Sequence, residues 1–555
     1  MRQHKTTKQS SHMRRRTYPF LLMLTSTLTI LLLSALTSCL SESPRSAIEE
    51  DKAYTSASSL ELATIASLYN YIGGNVDSQG LQGTYRGVYD LNTFTTDEAM
   101  LPTRGGDWYD GGFWQNLYLH KWTSADDALY DTWVYLYKVV VFCNRHLETL
   151  AANKSLLSQN QYDMYVAEIR AIRAMFYFYI MDLWGSVPVV TSTSQDMKTI
   201  GKTQRSEVFT FIIKELQEAI NDLPDIKSNL QGEYYGRMTR PVAFFLLAKL
   251  FLNAEVYTDN DWTNNVRNDG KNMRFDIDGT QMNAWQACIY FCNQLEYRYK
   301  LEENYAENFT VHNENSSENI FTIPMDKYLY ANQFKYLFRS RHYAHGATLG
   351  MAAENGSVAT ISTVKAFGYG MKSEEPDDRF YLNFYSDTLY IDGHIVSLTD
   401  GKPLVYQPLE VRLDLTGSPY EKTAGARMRK YETDKTAYAD GNLQDNDIVL
   451  FRFADVLLMR AEARFRNGED GLTDINAVRK RAGAKVLTSL SLDAILKERL
   501  LELVWEGWRR NDLIRFGLFH KAYDQRTPTD EELTSQSTIV FPIPDKAIDL
   551  NNNLK

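Results

Sequence analysis

The chain has 555 residues, a formal net charge of −10 and 13% aromatic residues, led by 35 tyrosines. That length allows two or three ordinary domains or one large helical one. Residues 1–38 hold six basic side chains and no acidic one, so the rest is more acidic still, which argues against nucleic acid and against electrostatic adhesion to membranes. Tyrosine joins an apolar ring to a polar tip, so its excess suits surfaces that meet polar ligands, and sugars are such ligands.

The N-terminus reads as an address. Arg14-Arg15-Arg16 precede the apolar run Phe20 to Leu36, which ends Leu36-Thr37-Ser38-Cys39. Basic segment, apolar segment and small residues make a secretory leader over 1–38, and the last four residues match the bacterial lipobox, with Cys39 as the acylated mature N-terminus. The other reading is an uncleaved membrane anchor, but the run is short for a span and is interrupted by Ser and Thr. Several acyl chains on Cys39 would hold the protein firmly to a membrane. Residues 39–56 then serve as a lipidated tether. Cys143, Cys288 and Cys292 are an odd number and make no disulfide framework; they read as small apolar core residues. No His stands at zinc-ligand spacing near them, so neither metal nor other cofactor is expected.

Helical periodicity begins near Ser58 and covers 57–72. After the stretch 73–126 come long helices at 127–150, 161–185, 206–224 (capped at Ser206), 239–257 and 284–297. Pro241 falls in a first turn, where its missing N–H does no harm. Helix pairs with small Ala positions at their contacts suggest a degenerate tetratricopeptide-like solenoid. The fold class is therefore mainly α: a helix-pair scaffold (57–72, 127–297 and 447–517) with a long irregular, short-strand region facing the ligand (73–126 and 300–445). Strand candidates fall at 320–323, 389–391 and 395–398.

The irregular segments carry the candidate site, because long ordered loops on a rigid scaffold usually carry function. Residues 95–122 set Trp108 and Tyr109 between the glycine pairs Gly105-Gly106 and Gly111-Gly112, with Trp114 just after them. Glycines let a loop turn sharply and bring backbone close to a ligand. Apolar sugar faces stack on rings, while hydroxyls need carboxylates or amides, which Asp97, Asp107, Asp110 and Asn116 would supply. Trp114 and Trp122 could equally be core anchors of the loop. A second contribution is expected from Tyr330, Arg341, Tyr343 and Asn355.

The C-terminal part organises the chain. Phe453, Leu457, Ala461 and Phe465 stack on one helix face, and Asn467-Gly468 suits a left-handed stop. A second helix spans about 473–483. A third, 491–508, has Ser491 as N-cap and sets Glu498, Glu502 and Glu506 on one face. Three like charges there make sense only if cations meet them, and Arg452, Arg460, Arg479 and Arg481 are the expected partners.

The run FRFADVLLMRAEA, INAVRKRAGA and KERLLELVWEGWRRNDLIRFG resembles the C-terminal half of the SusD/RagB family, the surface glycan-binding lipoproteins of Bacteroidetes. EIRAIRAMFYFYIMDLWGSVPVV (168–190), GRMTRPVAFFLLAKLFLNA (236–254), ENIFTIP (318–324), PDDRF (376–380) and FPIP (541–544) fall in the family's order, so the likeness spans nearly the whole mature chain. The tail departs from the family's usual Gln-Asn-x-Gly-Tyr-like ending. The resemblance implies four tetratricopeptide-like helix pairs and a lipid-anchored lid, at the cell surface, over a SusC-type TonB-dependent outer-membrane transporter. It implies oligosaccharide binding without catalysis. The rivals are a secreted glycoside hydrolase, which needs two carboxylates at a set separation, and a transporter-assembly subunit handling peptide. No G-x-S-x-G, H-E-x-x-H or P-loop pattern occurs.

Overall fold

A computed structural model describes residues 54–555 except 75–78, 83–84, 197, 329–335, 373–374 and 438–443. Cys39, the leader, most of the tether and Tyr330 lie outside the described residues.

The helices begin and end where local chemistry dictates. Gln159–Trp184 starts at a reciprocal cap between Ser158 and Gln161 and stops at Gly185, whose φ of 73° closes the turn. Arg205–Ala219 is capped by Gln204 with Glu207, two residues before the expected Ser206. Ala284–Glu296 is capped by Asn283 with Gln286. Asp127–Ala152 packs on Gln159–Trp184, and that helix on Arg205–Ala219. Arg240–Leu252 packs on Ala284–Glu296, which meets Phe453–Asn467. From Pro241 to Leu252 every side chain of the fourth of these helices is buried, as befits a helix apolar all round at the centre of a stack. No described helix is long and apolar enough to cross a membrane. Cys143, Cys288 and Cys292 are buried free thiols.

The two irregular segments are tied to each other and to the scaffold by short antiparallel pairs. Ala99–Met100 pairs with Val358–Ala359, joining the segment that carries Trp108 to the one that carries Arg341 and Asn355. Asn319–Ile323 pairs with Ile448–Arg452 directly before the helix Phe453–Asn467. Tyr390–Ile391 pairs with His394–Ile395, so the two strands expected around 389–398 form one hairpin. The segment 73–126 is less irregular than its composition predicts, since Val88–Thr93 and Phe113–Tyr118 are short helices.

The C-terminal helices are locked by buried charge. The third helix ends at Leu503, not at 508, because Trp505 (φ 68°) and Gly507 (φ 75°) turn the chain before a new helix, Arg509–Arg515. Glu506 therefore leaves the face shared by Glu498 and Glu502. The cations still meet all three. Arg452 bonds Glu502 at 2.6 Å and Glu506 at 2.8 Å, Arg479 pairs with Glu498, and Arg481 with Glu502. Arg460 does not join them; it takes Asp474 and Glu296, each at 2.7 Å. Three members come from outside the stretch. Arg379 reaches Glu498 at 2.7 Å and Glu502 at 2.9 Å, Lys430 reaches Glu506 at 2.5 Å, and Glu318 accepts from Arg452 at 2.8 Å. Arg379, Lys430, Arg452, Glu318 and the three glutamates are buried, so removing one of them would leave another charge uncompensated, at about 3–5 kcal/mol.

Candidate functional site

The segment 104–112 is a strained loop. Gly105, Trp108, Asp110, Gly111 and Gly112 all have φ between 44° and 88°. Glycine takes that region freely; Trp and Asp take it only when neighbours hold them there. The holders are identifiable. Arg104 and Asp107 exchange backbone hydrogen bonds across the turn, at 3.0 and 3.3 Å. The Trp108 indole N–H donates to the Glu354 carbonyl at 2.8 Å, and its ring lies so close to Gly356 that a Cβ there would stand 2.7 Å away.

Around Trp108 the rings form a platform. Trp108 meets Tyr85 and Trp114 edge-on, at centroid distances of 6.2 and 6.0 Å. Trp114 is buried, with its N–H donating to Asp110 at 2.8 Å, so it anchors the loop and Trp122 is likewise core. Trp108 is half-buried, whereas Tyr109 is 56% exposed and Tyr343 45% exposed. The Arg339 guanidinium makes a buried two-bond pair with Asp90, at 2.7 and 2.9 Å, and faces the Phe94 ring and the Tyr85 and Trp114 rings that pack on Trp108. The rings around Trp108 are thus braced by a fixed pair, which is what a recognition surface needs to bind without reordering itself.

Polar groups rim the rings. Asp107 accepts from the Tyr343 hydroxyl at 2.9 Å and from Lys422 at 3.0 Å; these bonds and the charge of Lys422 outweigh partial burial and hold its carboxyl below the usual range. Asp110 pairs with Arg86 at 3.0 Å. Tyr85 donates to the Glu354 carboxylate, and burial with that bond raises the phenol's pKa. Asn116 is half-buried on Phe113–Tyr118, its amide near Gly112.

Three expected contributors stand elsewhere. Asp97 makes a two-bond pair with Arg509, at 2.6 and 2.7 Å, on the helix Arg509–Arg515. Arg341 is fully buried and donates to the Thr433 hydroxyl at 2.7 Å. Asn355 is fully buried with φ 53°, its backbone N–H bonded to the Arg341 carbonyl. Sequence reasoning missed Tyr85, Arg86, Glu354 and Lys422. Tyr85-Arg86 sit between Gly83 and Gly87, the same glycine-flanked pattern that marks 105–112, so a signal for them existed. Nothing local marks Glu354 or Lys422.

Other features serve the scaffold. A cavity of about 670 Å³ lies along the helical turns 58–73, but its polar residues are committed: Arg237 to Glu61 and Glu168, and Tyr235 to Asp447. His120, His520 and Glu532 gather ligand atoms as a metal site would. There Arg526 already donates to His120 Nδ1 and to Glu532, both at 2.6 Å, and supplies the positive charge. Two carboxyls are pushed up by burial, Glu98 to about 8 and Asp447 to about 7, and both are buried structural acceptors.

Two family models match this chain. Residues 362–555 match the one described as "SusD family", and residues 66–252 match "Starch-binding associating with outer membrane". The chain belongs to the SusD/RagB family. It is 26% identical to the starch-binding protein SusD of Bacteroides thetaiotaomicron, over 80% of this chain and 78% of that one. It is 23% identical to a SusD-like protein of Bacteroides ovatus, over 89% and 82%. In fold it is similar to surface glycan-binding protein A of B. thetaiotaomicron in complex with laminarihexaose, with a TM-score of 0.66 at 19% identity over 89% of this chain and 98% of that one. A laminarin-binding SusD-like protein matches with a TM-score of 0.65 at 20% identity over 90% and 98%. The fold is the mainly α, tetratricopeptide-like one that the helix pattern predicts.

Proposed function

We propose that this protein is a non-catalytic, cell-surface glycan-binding lipoprotein that holds an oligosaccharide on the platform of Trp108, Tyr109 and Tyr343 and passes it to a SusC-like TonB-dependent transporter in the outer membrane. The observation that carries this reading is the exposed Tyr109 ring beside the half-buried Trp108 on a strained loop, rimmed by Asp107, Asp110, Lys422 and Tyr343. Rings stack on sugar faces and the rim groups meet hydroxyls. The printed names of the relatives, starch-binding and laminarin-binding among them, support a glycan as the ligand class. Absence of turnover is supported by where the raised-pKa carboxyls lie: Glu98 and Asp447 are sealed in the scaffold, out of reach of a glycosidic bond. The lipobox supports a leader over 1–38, an acyl anchor on Cys39 and a tether over 39–56 ahead of one domain, 57–555.

Affinity electrophoresis of residues 40–555 through polysaccharide gels tests the ligand half. Wild type is expected to be retarded, and Trp108→Ala and Tyr109→Ala to migrate freely while keeping their melting transitions. Retardation unchanged in both variants removes the platform from the reading, and release of reducing sugar replaces it with a hydrolase. Loss of labelled palmitate in Cys39→Ala tests the anchor.

A further inference from the structure

Most buried guanidiniums in this protein face carboxylates, as Arg379, Arg452, Arg499 and Arg515 do. Three near the platform face only neutral acceptors. Arg104 donates to the carbonyls of Glu421 and Ala424, at 2.8 and 2.9 Å. Arg427 donates to the carbonyls of Ser340 and Lys422, at 2.9 and 3.1 Å. Arg341 reaches the Thr433 hydroxyl and the Met351 sulfur. All three are fully buried, and each Nε is without a hydrogen-bond partner among the described residues. A buried charge normally has an opposite charge beside it, because little else replaces its lost hydration.

The positive field of this cluster reaches the platform. Burial lowers His342 to about 4, with Arg427, Arg104 and Lys422 adding to the shift, and His345 is lowered by burial and then by Arg341 and Arg427. His342 packs beside the Tyr343 ring at 5.9 Å. At the surface Lys422, 41% exposed, donates to the Arg104 carbonyl and to Asp107 and lies 3.6 Å from the Glu421 carboxylate. The rim carboxylates are already engaged: Asp107 with Lys422 and Tyr343, Asp110 with Arg86, Glu354 with Tyr85, and Glu421 with the Gly417 N–H. Three buried guanidiniums that hydrogen-bond to no carboxylate thus lie near the open rings, in a chain whose overall charge is −10.

We propose that the glycan this platform takes is acidic, an oligosaccharide whose carboxylate or sulfate seats against Lys422, beside the Tyr343 ring and near the guanidiniums of Arg104, Arg341 and Arg427. The proposal rests on the glycan reading above and names the charge of the ligand. A charged donor met by a charged acceptor in a partly dry site discriminates more strongly than a neutral hydroxyl contact.

Matched probes separate charge from backbone. Calorimetry on residues 40–555 would compare polygalacturonate with its methyl ester, and a sulfated galactan with its desulfated form, beside the neutral glucans starch and laminarin. The expected result is that one acidic probe binds at least about tenfold tighter than its neutralised partner, that the advantage shrinks in about 0.5 M NaCl, and that Lys422→Gln abolishes it while Lys422→Arg keeps it. The carboxylate and sulfate arms then tell which anion is taken. Equal binding of charged and neutralised probes, or best binding to a neutral glucan with Lys422→Gln unaffected, overturns the acidic ligand and leaves glycan binding standing. Wild type that binds none of the probes, nor any polysaccharide in the gels, overturns the glycan reading and this inference with it.

Discussion

Two regions of this molecule use charge and backbone in opposite ways. Among the C-terminal helices, Arg452, Arg379, Glu318, Glu498 and Glu502 are sealed from water and satisfied by one another on ordinary helical and strand backbone. Around Trp108 the backbone is strained, the Tyr109 and Tyr343 rings stay exposed, and the buried guanidiniums of Arg104, Arg341 and Arg427 hydrogen-bond to neutral acceptors only. The first region gains rigidity from complete pairing. The second leaves rings exposed and guanidiniums without a carboxylate partner, which is what a surface must do if a ligand is to answer them.

Breaking the paired region should have the largest effect. Glu502→Lys sets a cation among Arg379, Arg452 and Arg481, and is expected to remove about 3–5 kcal/mol of stability or prevent folding, read by chemical denaturation. An unchanged midpoint would mean that the lattice does not hold the helices.

The pH dependence of Glu98 sharpens the same side. Burial lifts its carboxyl from an ordinary 4.5 to about 8, so the folded state keeps a proton that the unfolded chain gives up. That stabilisation is complete below about pH 4.5 and is lost as pH rises through about 8. Glu98→Gln mimics the protonated acid and should overtake wild type by on the order of 4 kcal/mol at pH 8, with little difference at pH 4.5. Parallel stability curves would refute a protonated Glu98.

Asp97 tests the border between the regions. Its pair with Arg509 predicts that Asp97→Asn loses on the order of 1–3 kcal/mol while glycan retention holds. Loss of retention without loss of stability would return it to the site. The smallest expected change in stability falls in the open region. Gly356→Ala puts a methyl carbon into the Trp108 ring, so the ring must shift; retention should fall about tenfold (about 1.4 kcal/mol) with a small change in melting temperature. Tyr109→Ala, at an exposed ring, should stay within about 0.5 kcal/mol of wild-type stability.

The contrast also separates what a linear reading reaches from what it misses. The Ser491 cap, the Gly468 stop and the pairing of Arg452, Arg479 and Arg481 with the glutamates follow from spacing and charge. The break at Trp505 does not, because a Trp at positive φ is held there by contacts such as Glu98 accepting from its N–H at 3.0 Å, across hundreds of residues. In the candidate site, the glycine-hinged segment 105–112 was legible, since its residue types demand turns. The misplaced contributors share one cause. Asp97, Arg341 and Asn355 look like surface polar residues, and only their distant partners draw them inward.

By itself the sequence determined the long scaffold helices, the Ser491 cap and Gly468 stop, and the SusD/RagB membership, because periodicity, capping and motif order are local properties of the chain. Tertiary structure decided which rings face water, which arginines find a carboxylate, and that Tyr85, Glu354 and Lys422 stand beside Trp108. Exposure and ion pairing are settled by elements that meet from far apart in the chain, such as 99–100 against 358–359, and no local pattern encodes that meeting.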